Sequence, residues 1–206
     1  MHLRRLLRTV RHLRPRQAWG QLRHYLWRPR LVAQAAPAFP GVQWHPRGPF
    51  IAPSESRQDT AQLLDGNLLF LNEERNVGWP PDWEATRDYK LWQYNLHYFE
   101  YILSLPYVEA RRVALDWMLK HPCAHDQVGW EPYPISLRLQ NWVSLFFGNH
   151  LATTLSDNEF VDALWSSIWQ QAEVLRKNLE IRLLGNHLWE NAVALVPHRD
   201  PLSHRC

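Results

Sequence analysis

The sequence predicts an all-α protein built as an array of helical hairpins. Two observations carry this. From about residue 90 onward, apolar residues recur in steps of three and four, the spacing that lines one side of an α-helix. Short polar or Pro-containing loops separate these runs, as expected where consecutive helices fold back on one another. Strand-like patterning is confined to one short stretch near residue 70, and no repeat of fixed period is present.

In residues 2–27, Leu3, Leu6, Leu7, Val10 and Leu13, then Trp19, Leu22, Tyr25 and Leu26, fall at helical spacings with Arg on the other face. Pro15 interrupts them, which predicts one or two short basic amphipathic helices. Residues 28–54 are Pro-rich and aperiodic, an extended connector. Within Leu63–Asn72, Asp65-Gly66 predicts a turn beside a short strand. Gly78-Trp79-Pro80-Pro81-Asp82-Trp83 reads as a loop with rings placed to stack. Trp92, Leu96, Phe99, Ile102 and Leu103 mark one apolar helical face, and Val108, Val113, Leu115, Trp117, Met118 and Leu119 mark the next helix. After a loop at 121–134, residues 135–152 predict a third helix. Ser156 and Glu159 fit a capping box that opens a fourth, with Phe160, Leu164, Ile168, Ala172, Leu175 and Leu179 on its apolar side. A last helix runs from Trp189 to Leu195, and residues 196–206 carry two Pro and no apolar period. This divides the chain into a basic head and connector (1–54), a helical body (55–196) and an irregular tail (197–206).

The net charge of +3 conceals an asymmetry. Residues 1–54 hold ten Arg and no Asp, Glu or Lys, whereas the rest holds thirteen basic and twenty acidic residues. A basic head on an acidic body suggests a separate role for the head, toward a membrane surface, nucleic acid or an acidic glycan. No apolar run reaches the ~18 residues that suggest a membrane-spanning helix. Arg8, Arg11 and Arg14 break up any signal-peptide core. Cys123 and Cys206 make neither a disulfide framework nor a metal-binding spacing, so no metal and no cofactor is expected. Twelve Trp mean thick aromatic packing, a sugar-stacking cleft, or both.

Three stretches concentrate chemistry. Leu183-Leu184-Gly185-Asn186-His187-Leu188-Trp189-Glu190-Asn191 pairs Asn186 with Glu190 and His187 with Asn191 at four-residue spacing, so each pair shares a helix face. An amide and an imidazole at a helix start suit an anionic oxygen; the same residues also suit a plain helix boundary. In Lys90–Tyr101, Tyr94, His97, Tyr98 and Tyr101 fall on one ridge, fit either to contact sugars or to pack. In Gly129–Trp142, a Pro-stiffened loop leads into a helix that carries Arg138 and Asn141. Arg138 could bind a carboxylate or sulfate, or could be buried against Glu131.

These stretches, in this order, resemble the N-terminal helical domain of the heparinase II/III-like polysaccharide lyases. The resemblance rests on Leu91-Trp92-Gln93-Tyr94-Asn95-Leu96-His97-Tyr98-Phe99, on Gly129-Trp130-Glu131-Pro132-Tyr133-Pro134-Ile135-Ser136-Leu137-Arg138 and on Leu184-Gly185-Asn186-His187-Leu188-Trp189-Glu190-Asn191. Gln17-Ala18-Trp19-Gly20-Gln21-Leu22-Arg23 and Phe70-Leu71-Asn72 extend it to nearly the whole chain up to residue 196. It implies an incomplete (α/α) toroid and β-elimination on uronic-acid polysaccharides of the heparan-sulfate or alginate kind. Asn186 and His187 would hold the uronate carboxylate and stabilise the enolate-like intermediate. Tyr94, Asn95, His97, Tyr98, Trp130, Glu131, Tyr133, Arg138 and Glu190 would contact the sugar chain.

The expected partner is therefore an acidic polysaccharide, with no nucleic acid. Full-length members of the family suggest the bacterial periplasm. They also carry the catalytic Tyr on a later helix, followed by a β-sandwich. The chain reaches Cys206 before either, so the expectation is a truncated, inactive form. Two other readings stay open: a non-catalytic glycan-binding module, and a structural helical protein with a nucleic-acid-binding basic arm.

Overall fold

A computed structural model describes residues 35–41, 58–124, 127–181 and 186–195. The expected basic helices of residues 2–27, most of the connector, Gly185 and the tail lie outside the described residues. What is described is predominantly helical, with one pair of short strands.

Helix α1 (Thr60–Leu64) starts at Asp59, whose carboxylate accepts from the Ala61 amide at 3.0 Å. Strands β1 (Asn67–Phe70) and β2 (Glu73–Asn76) form an antiparallel hairpin with Phe70 opposite Glu73. The hairpin turn falls at Leu71-Asn72, both left-handed (φ 55° and 61°), which matches the twist of the strands. Asp65-Gly66 forms the expected turn beside a strand, closing α1 and leading directly into β1. Gly66 has φ 86°, and a Cβ there would lie 2.7 Å from the Gly78 backbone, so only Gly fits.

Helix α2 (Lys90–Tyr98) stops at Phe99, which is left-handed at φ 63°, and a 3-10 turn covers Glu100–Ser104. The apolar face expected to continue to Leu103 is thus broken. The break drops the Phe99 ring against Trp83 (5.4 Å between centroids) and Trp142 (5.2 Å). A fully buried aromatic side chain is worth about 2 kcal/mol, which offsets a left-handed residue's cost of roughly 1 kcal/mol.

Helix α3 (Tyr107–Lys120) matches the expected span. A 3-10 turn at Val128–Trp130 precedes α4 (Pro132–Trp142), which opens on Pro. The single helix expected over 135–152 is instead three pieces. A π-helical stretch, Val143–Asn149, follows α4 and leads to α5 (Leu151–Ser156). The wider π turn narrows the arc swept by Leu145, Phe146 and Phe147, all of them buried. Helix α6 (Asn158–Lys177) is capped by Asp157, which accepts from the Phe160 amide at 3.1 Å and pairs with Arg111 at 2.6 Å. The expected Ser156–Glu159 box is displaced by one residue, since the Ser156 hydroxyl donates back to Thr153. Helix α7 (Asn186–Leu195) is the last among the described residues.

Helix α4 is the hub, packing against α2, α6 and α7. At its centre Arg138 is fully buried. Its guanidinium donates to Gln171 Oε1 (2.8 Å, α6), to the His97 carbonyl (3.1 Å, α2) and to the Gly129 carbonyl (2.7 Å). It also lies 3.8 Å over the Trp117 ring of α3. Burial pulls its pKa well below the ordinary arginine value. Three oxygens and an indole face are what make the cation tolerable there. Glu131, the partner expected for a buried Arg, pairs with Lys90 instead, at 2.7 Å.

Replacing Arg138 by Met would orphan three acceptors, each costing about 1–3 kcal/mol when buried without a partner. Urea denaturation is expected to show a loss of at least ~3 kcal/mol. Arg138→Lys should recover little, because one ammonium cannot reach three divergent oxygens.

Candidate functional site

Four rings from three helices line up at one side of α4. Tyr94 and Tyr98 of α2 stack at 6.3 Å, Tyr98 meets Tyr133 of α4 edge-on at 5.7 Å, and Tyr133 lies 4.3 Å from the His187 ring of α7. All four are part-exposed, so the row is a ledge rather than core. Residues four apart place Tyr94 and Tyr98 on one helix face, while Pro132 at the start of α4 presents Tyr133 beside them. Glu131 accepts from the Tyr94 hydroxyl and pairs with Lys90. Burial, as the leading cause, raises the pKa of all three phenols, and for Tyr98 the neighbouring Tyr133 adds to it. At neutral pH they are therefore protonated hydrogen-bonding and stacking groups, not phenolates.

The α7 end of the ledge is anchored by Asn191, which the sequence pairs with His187 but does not mark as a sugar contact. Asn191, fully buried, accepts from the Glu180 amide (2.9 Å) and donates to Ser136 of α4 (2.9 Å). Ser136 in turn donates to the Pro132 carbonyl at 2.9 Å. The same loop brings Glu180 to 3.1 Å from His187 Nδ1. A carboxylate can only accept, so Nδ1 carries the proton and Nε2 is left for any other contact. Glu190 accepts from Gln140 of α4 at 2.8 Å. Asn186 is the exposed first residue of α7. The four-residue spacing of His187 and Asn191 was the only sequence signal for this anchor, and Glu180 had none.

Other expected contacts are corrected by their surroundings. The Tyr94–His97–Tyr98–Tyr101 ridge is split, with His97 and Tyr101 turned into the core. Trp130 is buried, and its indole N–H donates to the His121 carbonyl at 3.2 Å. Arg138 has every side of its guanidinium occupied. Asn95 turns its amide back to the Leu91 carbonyl of its own helix at 2.8 Å. Of the eleven expected residues, Tyr94, Tyr98, Glu131, Tyr133, Asn186, His187 and Glu190 gather at or beside the ledge. His97, Trp130 and Arg138 support it from behind.

Behind the ledge lies an imidazole pair. His97 sits between Trp83 (5.7 Å, stacked) and Gly129, where a Cβ would come within 2.9 Å of His97 Nδ1. His121 stacks flat on Trp117 at 5.2 Å and meets His97 at 5.1 Å. Burial, reinforced by the Arg138 charge, pushes His97 well below the usual histidine range and His121 down to about 4. Among the described residues no cluster of three or more His, Cys, Asp or Glu could hold a metal ion, and no helix is long and apolar enough to cross a membrane. Compared with known proteins, the chain matches no family model, no curated protein and no solved structure.

Both imidazoles should make stability pH-dependent. In the unfolded chain they take up protons near pH ~6.5, earlier than in the fold. Stability is therefore full above that value and falls as pH drops from ~6.5 toward 4. His121 alone contributes at most about 3 kcal/mol, less as water reaches its ring. Denaturant titrations at a series of pH values should show this slope, and His121→Gln should flatten it.

Proposed function

We propose that this chain is the helical, glycan-holding part of a polysaccharide lyase that cleaves uronic-acid-containing acidic glycans by β-elimination, with an incomplete (α/α) toroid as its architecture. The observation that carries the proposal is the convergence of Tyr94, Tyr98, Tyr133 and His187, from three separate helices, in one part-exposed row. Pyranose rings stack on such rows, and phenol hydroxyls bond to sugar hydroxyls. The resemblance of the three motif stretches to the heparinase II/III-like lyases points the same way.

In this reading the sugar chain lies along the tyrosines, with a uronate carboxylate at the start of α7. The Asn186 amide donates to it. The His187 ring, oriented through Nδ1 by Glu180, turns Nε2 toward it and donates from there when that nitrogen carries a proton. Both donors stabilise the charge that builds up as the proton α to the carboxylate leaves. The base is not assigned to Tyr94, Tyr98 or Tyr133, whose phenols burial keeps protonated. That same observation favours a second reading, a glycan-binding module without catalysis.

Incubation with heparan sulfate, alginate and related polymers, followed by ultraviolet absorbance of the unsaturated uronate, separates the two. Product supports the lyase, binding without product supports the module, and no binding to any of the polymers sinks both. Asn186→Ala and His187→Ala should weaken acidic-glycan binding while barely moving the melting temperature, because both side chains are largely outside the core. Tyr133→Ala should cost about tenfold in affinity, the worth of one aromatic contact of roughly 1.4 kcal/mol.

A further inference from the structure

Adjoining the ledge is a cleft of about 540 Å³ whose lining includes Glu84, Arg87, Lys90, His97, His121, Gln127 and Glu131. Its rim is charge-balanced: Glu84 pairs with Arg87, and Lys90 with Glu131. Its floor is uncharged but strongly directional. The Trp117 indole N–H donates to His97 Nδ1 at 3.0 Å, so the proton of the neutral His97 ring sits on Nε2, a donor. His121 Nδ1 lies 3.2 Å from the Trp117 carbonyl, which can only accept, so His121 Nε2 bears a lone pair. One tryptophan thus sets opposite tautomers on two touching rings. Gln127 lines the same cleft, and its Oε1 atom is buried without a hydrogen-bond partner. Among the described residues, neither free imidazole nitrogen has a partner either.

One donor and two acceptors, with no unpaired cation among the described residues, do not suit a carboxylate or a phosphate. They suit groups that donate and accept at once, which are hydroxyls. We propose that this cleft is a binding subsite for an uncharged, hydroxyl-rich ligand, specifically a neutral pyranose residue next to the acidic one held on the ledge. Glu131 links the two places, since it lines the cleft and accepts from Tyr94, the first ring of the ledge. The donor–acceptor pattern stands by itself, while the choice of a sugar over other polyols rests on the glycan reading. Gly129 is part of the design, because any side chain there would displace His97.

The test follows imidazole nitrogen signals in the full chain, labelled at histidine, during separate titrations with methyl glucoside and with glucuronate. The glucoside should shift His97 and His121, and glucuronate should shift His187. Gln127→Leu should weaken glucoside binding at least tenfold with an equal or higher melting temperature, because it removes an orphaned acceptor. A structural role for Gln127 would instead lower the melting temperature and leave binding unchanged, which overturns the proposal. If glucuronate moves His187 while the glucoside leaves His97 and His121 unmoved, the cleft proposal fails and the glycan reading stands. A glucoside response without any glucuronate binding supports the cleft and sinks the acidic-glycan reading. Stronger competition by methylammonium than by the glucoside would mark a cation site and also overturn the proposal.

Discussion

A buried cation without a carboxylate partner among the described residues organises this fold. Arg138 sits at the middle of α4, and its fork reaches a side chain on α6, the last turn of α2 and the loop before α4, while its face lies on the Trp117 ring. A planar group with divergent N–H bonds suits this place, because each bond fixes a direction as well as a distance. Burying a charge is expensive, so the surroundings must supply every partner, and that requirement determines where three other segments can go. The early end of α2 is one consequence. Its His97 carbonyl serves the guanidinium, and Phe99 then swings its ring among Trp83, Trp117 and Trp142.

The ledge is built on that frame from the outside. With α2 and α4 held together through Arg138, the tyrosines near the ends of both helices become neighbours. The third member, His187, comes from α7, which is held by a different device, the Asn191–Ser136–Pro132 chain of hydrogen bonds. Two buried polar systems therefore stand behind one part-exposed aromatic row. The rings themselves need little more than packing, whereas their alignment depends on satisfied polar groups in the interior. This arrangement suits a surface that must hold a flat, hydroxylated ligand at a fixed angle.

Much of the helical plan was legible beforehand. The spans of α3 and α6 follow apolar steps of three and four, and the burial of Val113, Trp117, Phe160, Leu164, Ile168 and Leu175 bears this out, whereas Val108 and Leu119, expected on the same face of α3, are exposed. Boundaries were less legible. The stop at Phe99 and the π stretch over Val143–Asn149 arise where bulky rings compete for core space, and local propensity carries no sign of that. The turn expected at Asp65-Gly66 beside a strand is present, whereas the pairing of that strand through a second turn at Leu71-Asn72 had no Gly or Pro to signal it. Among the candidate residues, the part-exposed rings Tyr94, Tyr98 and Tyr133 were found by residue type and spacing. Glu180 and Gln127 were not, since each matters only through what lies beside it.

By itself, then, the sequence determined the helical class, the apolar faces and the three polar-aromatic stretches, because these follow from periodicity and side-chain chemistry along the chain. Tertiary structure alone decided which polar residues point outward. Arg138 and His97 carry the same chemistry as surface binding groups, yet both lie inside, where carbonyls and indole rings from distant segments supply the partners that water would otherwise provide. Tertiary structure also decided which ring nitrogen of His97 and of His121 carries its proton. A single tryptophan, twenty residues from one of them and four from the other, donates to the first and accepts from the second.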